Sequence, residues 1–128
     1  MVPNKYCNIL AIDDNQDNLI TVKALIKEAF PNANTYTALN GPDGIEIATS
    51  IDPDVILLDI DMPVMNGLEF LEQLKKQTTL SGRAKVFMLS SSCSDHSKVT
   101  SLQYPFVKGF FEKPLKDNHV QQILSLFQ

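Results

Sequence analysis

The arrangement of apolar and polar positions changes along the chain between a strand-like pattern and a helix-like pattern. Five runs of apolar, β-branched or aromatic residues have the length and content of strands, at 7–12, 34–39, 54–59, 85–90 and 107–111. The segments between and after them predict helices, most with apolar residues every three to four positions, at 17–30, 41–51, 67–77, 95–103 and 117–127. Five strands in strict alternation with five helices predict a doubly wound α/β domain with a parallel sheet and helices on both faces.

The third run, 54–59, is apolar on both sides until it ends in acid. Two-sided burial is typical of a central strand in a parallel sheet covered by helices. The weakest element is the helix at 95–103, because Ser and Thr are poor helix formers and Pro105 stops it.

Polar residues in the turns predict where the helices begin. Asn15 or Asp17 can cap the first helix, and Asp117 can cap the last. Pro42 suits the first position of the second helix, where its missing N–H costs nothing.

Size and charge narrow the function classes. The chain has 128 residues and a mass of 14.3 kDa, which fits one domain spanning 1–128. A net charge of -4 argues against a nucleic-acid surface. No apolar stretch reaches the roughly 20 residues of a membrane span, and no secretion signal is evident, so we expect a cytoplasmic location.

The cysteines and histidines, which in other proteins often bind metals or form disulfides, are not expected to do so here. Cys7 and Cys93 are expected to be reduced thiols. His96 and His119 lack metal-ligand spacing and are expected at the surface.

Chemically active side chains follow four of the predicted strands. Asp13 and Asp14 close the first strand, Asp59 the third and Ser90 the fourth, while Lys113 follows the fifth. Each alone has an ordinary structural explanation, as a helix cap, a turn residue or a surface charge. Because the carboxyl ends of parallel strands open on one crevice, together they indicate a site. Three acids near one another need a cation, and Mg²⁺ with one ammonium and one hydroxyl suits phosphoryl transfer to a carboxylate.

Four sequence motifs carry a family resemblance over nearly the whole chain. "AIDDNQDN", "VILLDIDMPVMNGLEFL", "VFMLSSS" and "FFEKPL" together resemble the receiver domain of two-component response regulators, of the chemotaxis-regulator type. Each motif alone is weak, but the combination is specific. The resemblance implies a flavodoxin-like (βα)5 fold with strand order 2-1-3-4-5.

The resemblance also implies roles for the acids. Asp59 would be the phosphoacceptor, receiving its phosphoryl group from a histidine kinase or a phosphotransfer protein. Asp13 and Asp14 would bind Mg²⁺, with Asp59 and the backbone carbonyl of Asp61 completing the protein ligands.

Three further residues take roles from the same resemblance. Ser90 and Lys113 would bind the phosphoryl group, and the Lys113–Pro114 peptide bond is expected to be cis. Phe110, three residues before Lys113, would turn inward when Ser90 moves toward the phosphate, although a plain core position explains Phe110 equally well.

The chain departs from the family between residues 94 and 110. The alanine-rich helix and the Gly-Ala pair common in receivers are both missing there. Since this region is the usual output face of the family, the downstream partner and the mode of association do not follow from the resemblance.

Three functions stay open at this point. The first is a stand-alone signalling switch that acts by protein contact and is not an enzyme, and the second is a receiver excised from a larger kinase or regulator. The third, from another class, is a Mg²⁺-dependent phosphohydrolase, in which Asp61, two residues after Asp59, would act as general acid. The compact chain leaves no room for the substrate-selecting insertions such enzymes carry.

Overall fold

Five parallel strands form one sheet in the order β2-β1-β3-β4-β5. The computed structural model describes residues 7–60, 62, 65–77, 84–90, 100 and 102–126. The strands are β1 Asn8–Ile12, β2 Asn34–Ala38, β3 Val55–Asp59, β4 Lys85–Ser90 and β5 Val107–Glu112. In the described residues four helices connect or follow them: α1 Gln16–Ala29, α2 Gly41–Ile51, α3 Gly67–Lys75 and α4 Asp117–Ser125.

These elements confirm the predicted class and strand order. They confirm the alternation of strands and helices everywhere except between β4 and β5. The bounds of β4 and α2 match the prediction, and most others differ by one or two residues. The predicted helix at 95–103 falls mostly outside the described residues. None of the described helices is long and apolar enough to cross a membrane.

The central strand β3 separates two apolar layers. All five of its residues are buried, as its two-sided apolar pattern predicts. Val55 and Leu57 pack in the layer that α1 and α4 cover, whereas Ile56 and Leu58 pack in the layer under α2 and α3. Asp59 is therefore fixed at the end of the most enclosed strand of the sheet.

The helix starts confirm one predicted cap and correct another. The Asn15 side chain accepts a hydrogen bond from the Asn18 N–H at 3.1 Å, so Asn15 caps α1. The prediction for Asp117 is wrong, because Asp117 is already helical. The Lys116 carbonyl accepts the first helical bond, from the Val120 N–H at 3.1 Å, which places the cap one residue earlier.

His119 lies at the surface, as expected, but is half-buried there. Its ring stacks on Phe111 of β5, with centroids 4.5 Å apart and planes 16° apart. Its Nδ1 accepts a hydrogen bond from the Lys116 N–H at 3.0 Å. Burial, followed by the nearby charge of Lys116, lowers the pKa of His119 from its ordinary value.

The lowered pKa of His119 predicts that acid destabilises the fold. Between the unfolded pKa of about 6.5 and the lower folded value, the unfolded chain binds more protons. The contribution of neutral His119 to the free energy of unfolding is therefore present above about pH 6.5 and is lost as the pH falls toward the folded pKa. Denaturant unfolding of wild type and His119→Phe at pH 8 and pH 5 measures this contribution of His119. The stability difference in favour of wild type should shrink at pH 5, and a difference that is constant with pH would contradict the assignment.

Candidate functional site

Four strand ends bring the predicted site residues to one edge of the sheet. Asp13 follows β1, Asp59 ends β3, Ser90 ends β4 and Lys113 follows β5. Asp13, Asp59 and Ser90 are polar yet only 4%, 2% and 2% exposed. One carboxylate oxygen from each of Asp13, exposed Asp14 and Asp59 lies within 4.8 Å of the others. The predicted acids are thus one cluster.

Lys113 places its ammonium between the two buried acids. Its Nζ lies 3.1 Å from Asp13 Oδ2 and 3.1 Å from Asp59 Oδ1. Burial by itself lowers the pKa of Lys113, but the hydrogen bonds and charges of Asp13 and Asp59 outweigh this and raise it. Lys113 therefore stays cationic and holds the two carboxylates together.

The backbone fixes the base of the lysine side chain. The Lys113 N–H donates to the Ser90 carbonyl at 2.7 Å, which continues the β4–β5 ladder to the edge of the sheet. The Lys113–Pro114 peptide bond is cis, as the resemblance implied.

The first turn of α1 holds the Asp13 carboxylate from the other side. Asp13 Oδ1 accepts the Asn15 N–H at 2.9 Å, and Asp13 Oδ2 accepts Nδ2 of Asn18 at 3.3 Å. Sequence reasoning identified Asn15 only as a cap and missed Asn18. The signal was the three-residue spacing of Asn15 and Asn18, which places Asn18 one turn along α1 and beside the Asp13 carboxylate.

The chain leaving Asp59 is pinned by two backbone hydrogen bonds. The Ile60 N–H donates to the Leu89 carbonyl at 3.0 Å, and the Gly67 N–H donates to the Ile60 carbonyl at 2.9 Å. A Cβ atom on Gly67 would lie 2.7 Å from Ile60 Cα, so only glycine allows α3 to start this close to the strand end. The predicted metal ligand Asp61 lies outside the described residues.

The two predicted switch residues, Ser90 and Phe110, lie two register positions apart in the β4–β5 pair. Ser90 is buried at the end of β4. Phe110 pairs in register with Met88 of β4 and is half-buried against the layer under α2 and α3. Phe110 is therefore in contact with the core but not enclosed by it.

The acid cluster fits a hard divalent cation. Asp13, Asp14 and Asp59 carry three negative charges against the one positive charge of Lys113, which leaves a net charge of -2 on these four side chains. All three candidate ligands offer carboxylate oxygen, the donor that Mg²⁺ prefers. Asp14 is exposed, so the cluster also opens to water.

Comparison with known proteins gives the class of this α/β domain. Over 97% of the chain, the fold matches a two-component response regulator from Cytophaga hutchinsonii (TM-score 0.86, 21% identity, 98% of that chain). It also matches the Vibrio cholerae chemotaxis protein CheY4 (TM-score 0.83, 24% identity), over 97% of this chain and 100% of that one. The family model of the response regulator receiver domain matches residues 9–125. The chain therefore belongs to the response regulator receiver family, whose members are phosphorylation-dependent signalling switches.

Curated relatives agree with this assignment and are longer. The nitrate/nitrite response regulator protein NarL of Escherichia coli K12 is 48% identical over 117 residues, which cover 91% of this chain and 51% of NarL. A protein-glutamate methylesterase/protein-glutamine glutaminase of Treponema denticola is 39% identical over 95 residues, 72% of this chain and 24% of that protein. The chain thus spans about half the length of NarL and about a quarter of the methylesterase.

The close approach at Gly67 predicts that Gly67→Ala destabilises the domain. The added methyl group meets the Ile60 backbone, which cannot rotate away as a side chain can, so we expect a loss of about 1–3 kcal/mol in the free energy of unfolding. Urea denaturation measures it, with Ser50→Ala on the exposed side of α2 as the control, expected within about 0.5 kcal/mol of wild type. Equal stabilities for the two variants would show that the contact at Gly67 relaxes freely.

Proposed function

We propose that residues 1–128 form one receiver domain that accepts a phosphoryl group on Asp59 with Mg²⁺ and then signals by contact with another protein. The observation that carries this proposal is the position of Asp59. It is 2% exposed at the end of the central strand, grouped with Asp13 and Asp14, and 3.1 Å from the Lys113 ammonium. Family membership supports the same reaction.

The environments of the three acids favour Asp59 as the nucleophile. Both oxygens of Asp13 already accept hydrogen bonds from the first turn of α1, which suits a fixed ligand. Asp14 is exposed and lies two residues beyond the end of β1. Asp59 is held by the β3 ladder, so its carboxylate has the defined position that in-line attack on phosphorus requires.

The proposed transfer is a nucleophilic substitution at phosphorus. An Asp59 carboxylate oxygen forms the new P–O bond while the bond from phosphorus to the donor breaks. The donor leaves with that electron pair, as imidazole from a phosphohistidine or as acetate from acetyl phosphate. The histidine comes from a histidine kinase or a phosphotransfer protein in this proposal.

The neighbouring residues hold the transferred group. Lys113 presents a positive charge and Ser90 a neutral hydroxyl to the phosphoryl oxygens. Asp13, Asp14 and Asp59 would bind Mg²⁺, with the Asp61 carbonyl as a further proposed ligand. Bound Mg²⁺ would neutralise negative charge on the phosphoryl group during transfer.

Signal output is proposed to follow from a change in packing between β4 and β5. Ser90 moves toward the phosphoryl oxygens, and half-buried Phe110 moves inward behind it. New contacts at the phosphate stabilise one of two arrangements, so phosphorylation shifts their populations. The proposed output is contact with a downstream protein, and the proposed location is the cytoplasm.

Incubation with acetyl phosphate and Mg²⁺ tests the acceptor. Intact-mass spectrometry should show one added phosphoryl group on wild type and none on Asp59→Asn, because an amide is a poor nucleophile. Asp54→Asn, one residue before the start of β3 and far from the acid cluster, is the matched control and should be labelled like wild type. Labelling of Asp59→Asn at the wild-type level would refute the assignment.

Incubation with a small phosphate ester in place of acetyl phosphate separates a receiver from a phosphohydrolase. A receiver releases phosphate only as fast as its own aspartyl-phosphate turns over and does not act on small phosphate esters. Multiple turnovers on such esters, abolished by Asp61→Asn, would support the hydrolase instead. In a receiver, Asp61→Asn should still accept phosphate.

A further inference from the structure

We propose that Asn18 is a positioning residue, which fixes the Asp13 carboxylate for binding the divalent cation. The inference rests on the proposed function, because it assigns a second residue to the same cation site. Asn18 would not touch the phosphoryl group or the cation itself. It acts through Asp13.

Three hydrogen bonds form a closed ring between the end of β1 and the first turn of α1. The Asn15 N–H donates to Asp13 Oδ1 at 2.9 Å, and the Asn18 N–H donates to Asn15 Oδ1 at 3.1 Å. The Asn18 side chain then donates from Nδ2 back to Asp13 Oδ2 at 3.3 Å. The helix cap and the acid site are therefore built from the same residues.

The ring restricts rotation of the Asp13 carboxylate. Each oxygen accepts a donor from a different part of the helix turn, so rotation of the carboxylate plane breaks both bonds. Asp13 Oδ2 also lies 3.1 Å from the Lys113 Nζ, so Asn18 and Lys113 share this oxygen. Without Asn18, the ammonium would be the remaining described contact of Oδ2, and it could draw the carboxylate out of its present orientation.

The chemistry of asparagine suits this position. Its amide donates a hydrogen bond without adding charge to a cluster that already has three carboxylates. Asn18 is half-buried and, with Asp13 and Lys113, lines a cavity of about 300 Å³, so the bond is partly shielded from water. Residues that hold metal-binding carboxylates by hydrogen bonds typically change metal affinity roughly 10- to 100-fold when they are removed. Because this bond is long and its donor is neutral, we expect the lower end of that range.

Three variants on the same helix isolate the hydrogen bond. Asn18→Leu has a similar side-chain size but no donor. Thr21→Val is the matched control, because Thr21 lines the same cavity while its hydroxyl donates to the Asp17 carbonyl rather than to Asp13. Asn18→Gln keeps the donor on a longer side chain and should recover part of the loss.

The test is a Mg²⁺ titration of the unphosphorylated protein followed by ¹H–¹⁵N NMR. Asn18→Leu should raise the dissociation constant of Mg²⁺ roughly tenfold, whereas Thr21→Val should stay within about twofold of wild type. In wild type, the side-chain NH₂ signals of Asn18 should shift along the same binding curve, which tests the contact even if Asn18→Leu does not fold. With acetyl phosphate, Asn18→Leu should need more Mg²⁺ for half-maximal labelling but reach a rate near that of wild type at saturation.

The outcomes separate this inference from the proposed function. Wild-type affinity in Asn18→Leu, an equal loss in Thr21→Val, or unmoved Asn18 NH₂ signals in a protein that binds Mg²⁺ would overturn the role of Asn18 alone. A wild type that binds no Mg²⁺ would overturn the proposed cation site, and the role of Asn18 with it.

Discussion

Repulsion between carboxylates is the constraint on which this site depends. Asp13 and Asp59 are buried, and one oxygen from each lies within 4.8 Å of the other and of one oxygen of Asp14. Charges in such a setting are unfavourable unless they are paired and hydrogen-bonded. The two 3.1 Å contacts of the Lys113 ammonium offset part of the free-energy cost of burying these charges. The hydrogen bond from the Asn15 N–H to the Asp13 carboxylate offsets a further part. The remaining negative charge is what makes the cluster a suitable place for a divalent cation.

The sheet holds these charges together against their repulsion. The ladders of β1, β3 and β4 fix the chain up to the strand ends, and the apolar layers on both faces prevent the strands from moving apart. Gly67 keeps the chain after Asp59 folded back on Ile60. The stability of the core thus maintains an arrangement of acids that the acids alone would not adopt.

The fold was largely predictable because the periodicity of apolar residues along the chain indicates which side of each strand or helix is buried. The two-sided apolar run of β3 predicted its central place, and the polar residues at the strand ends then predicted the site, since parallel strands share one carboxyl edge. The positions of Asp13, Asp14 and Asp59 in one cluster and of Lys113 beside two of them agree with that prediction.

Local polar contacts were harder to predict, for a physical reason. A side chain such as Asn18 or His119 has several possible partners within a few ångströms, and the choice depends on tertiary packing rather than on periodicity. His119 stacks on Phe111 of β5, and its Nδ1 accepts the Lys116 N–H. The cap of α4 is therefore Lys116 rather than Asp117. Neither partner is evident from the sequence around the helix.

The most direct measurement of the central claim is the stability that Mg²⁺ adds to the fold. Denaturant unfolding of wild type and Asp59→Asn, each with and without Mg²⁺, measures how far binding to the folded state raises the free energy of unfolding. If the buried carboxylates form the cation site, Mg²⁺ should stabilise wild type, and the increment should be largely lost in Asp59→Asn. Equal increments in the two proteins, or none in wild type, would contradict the account.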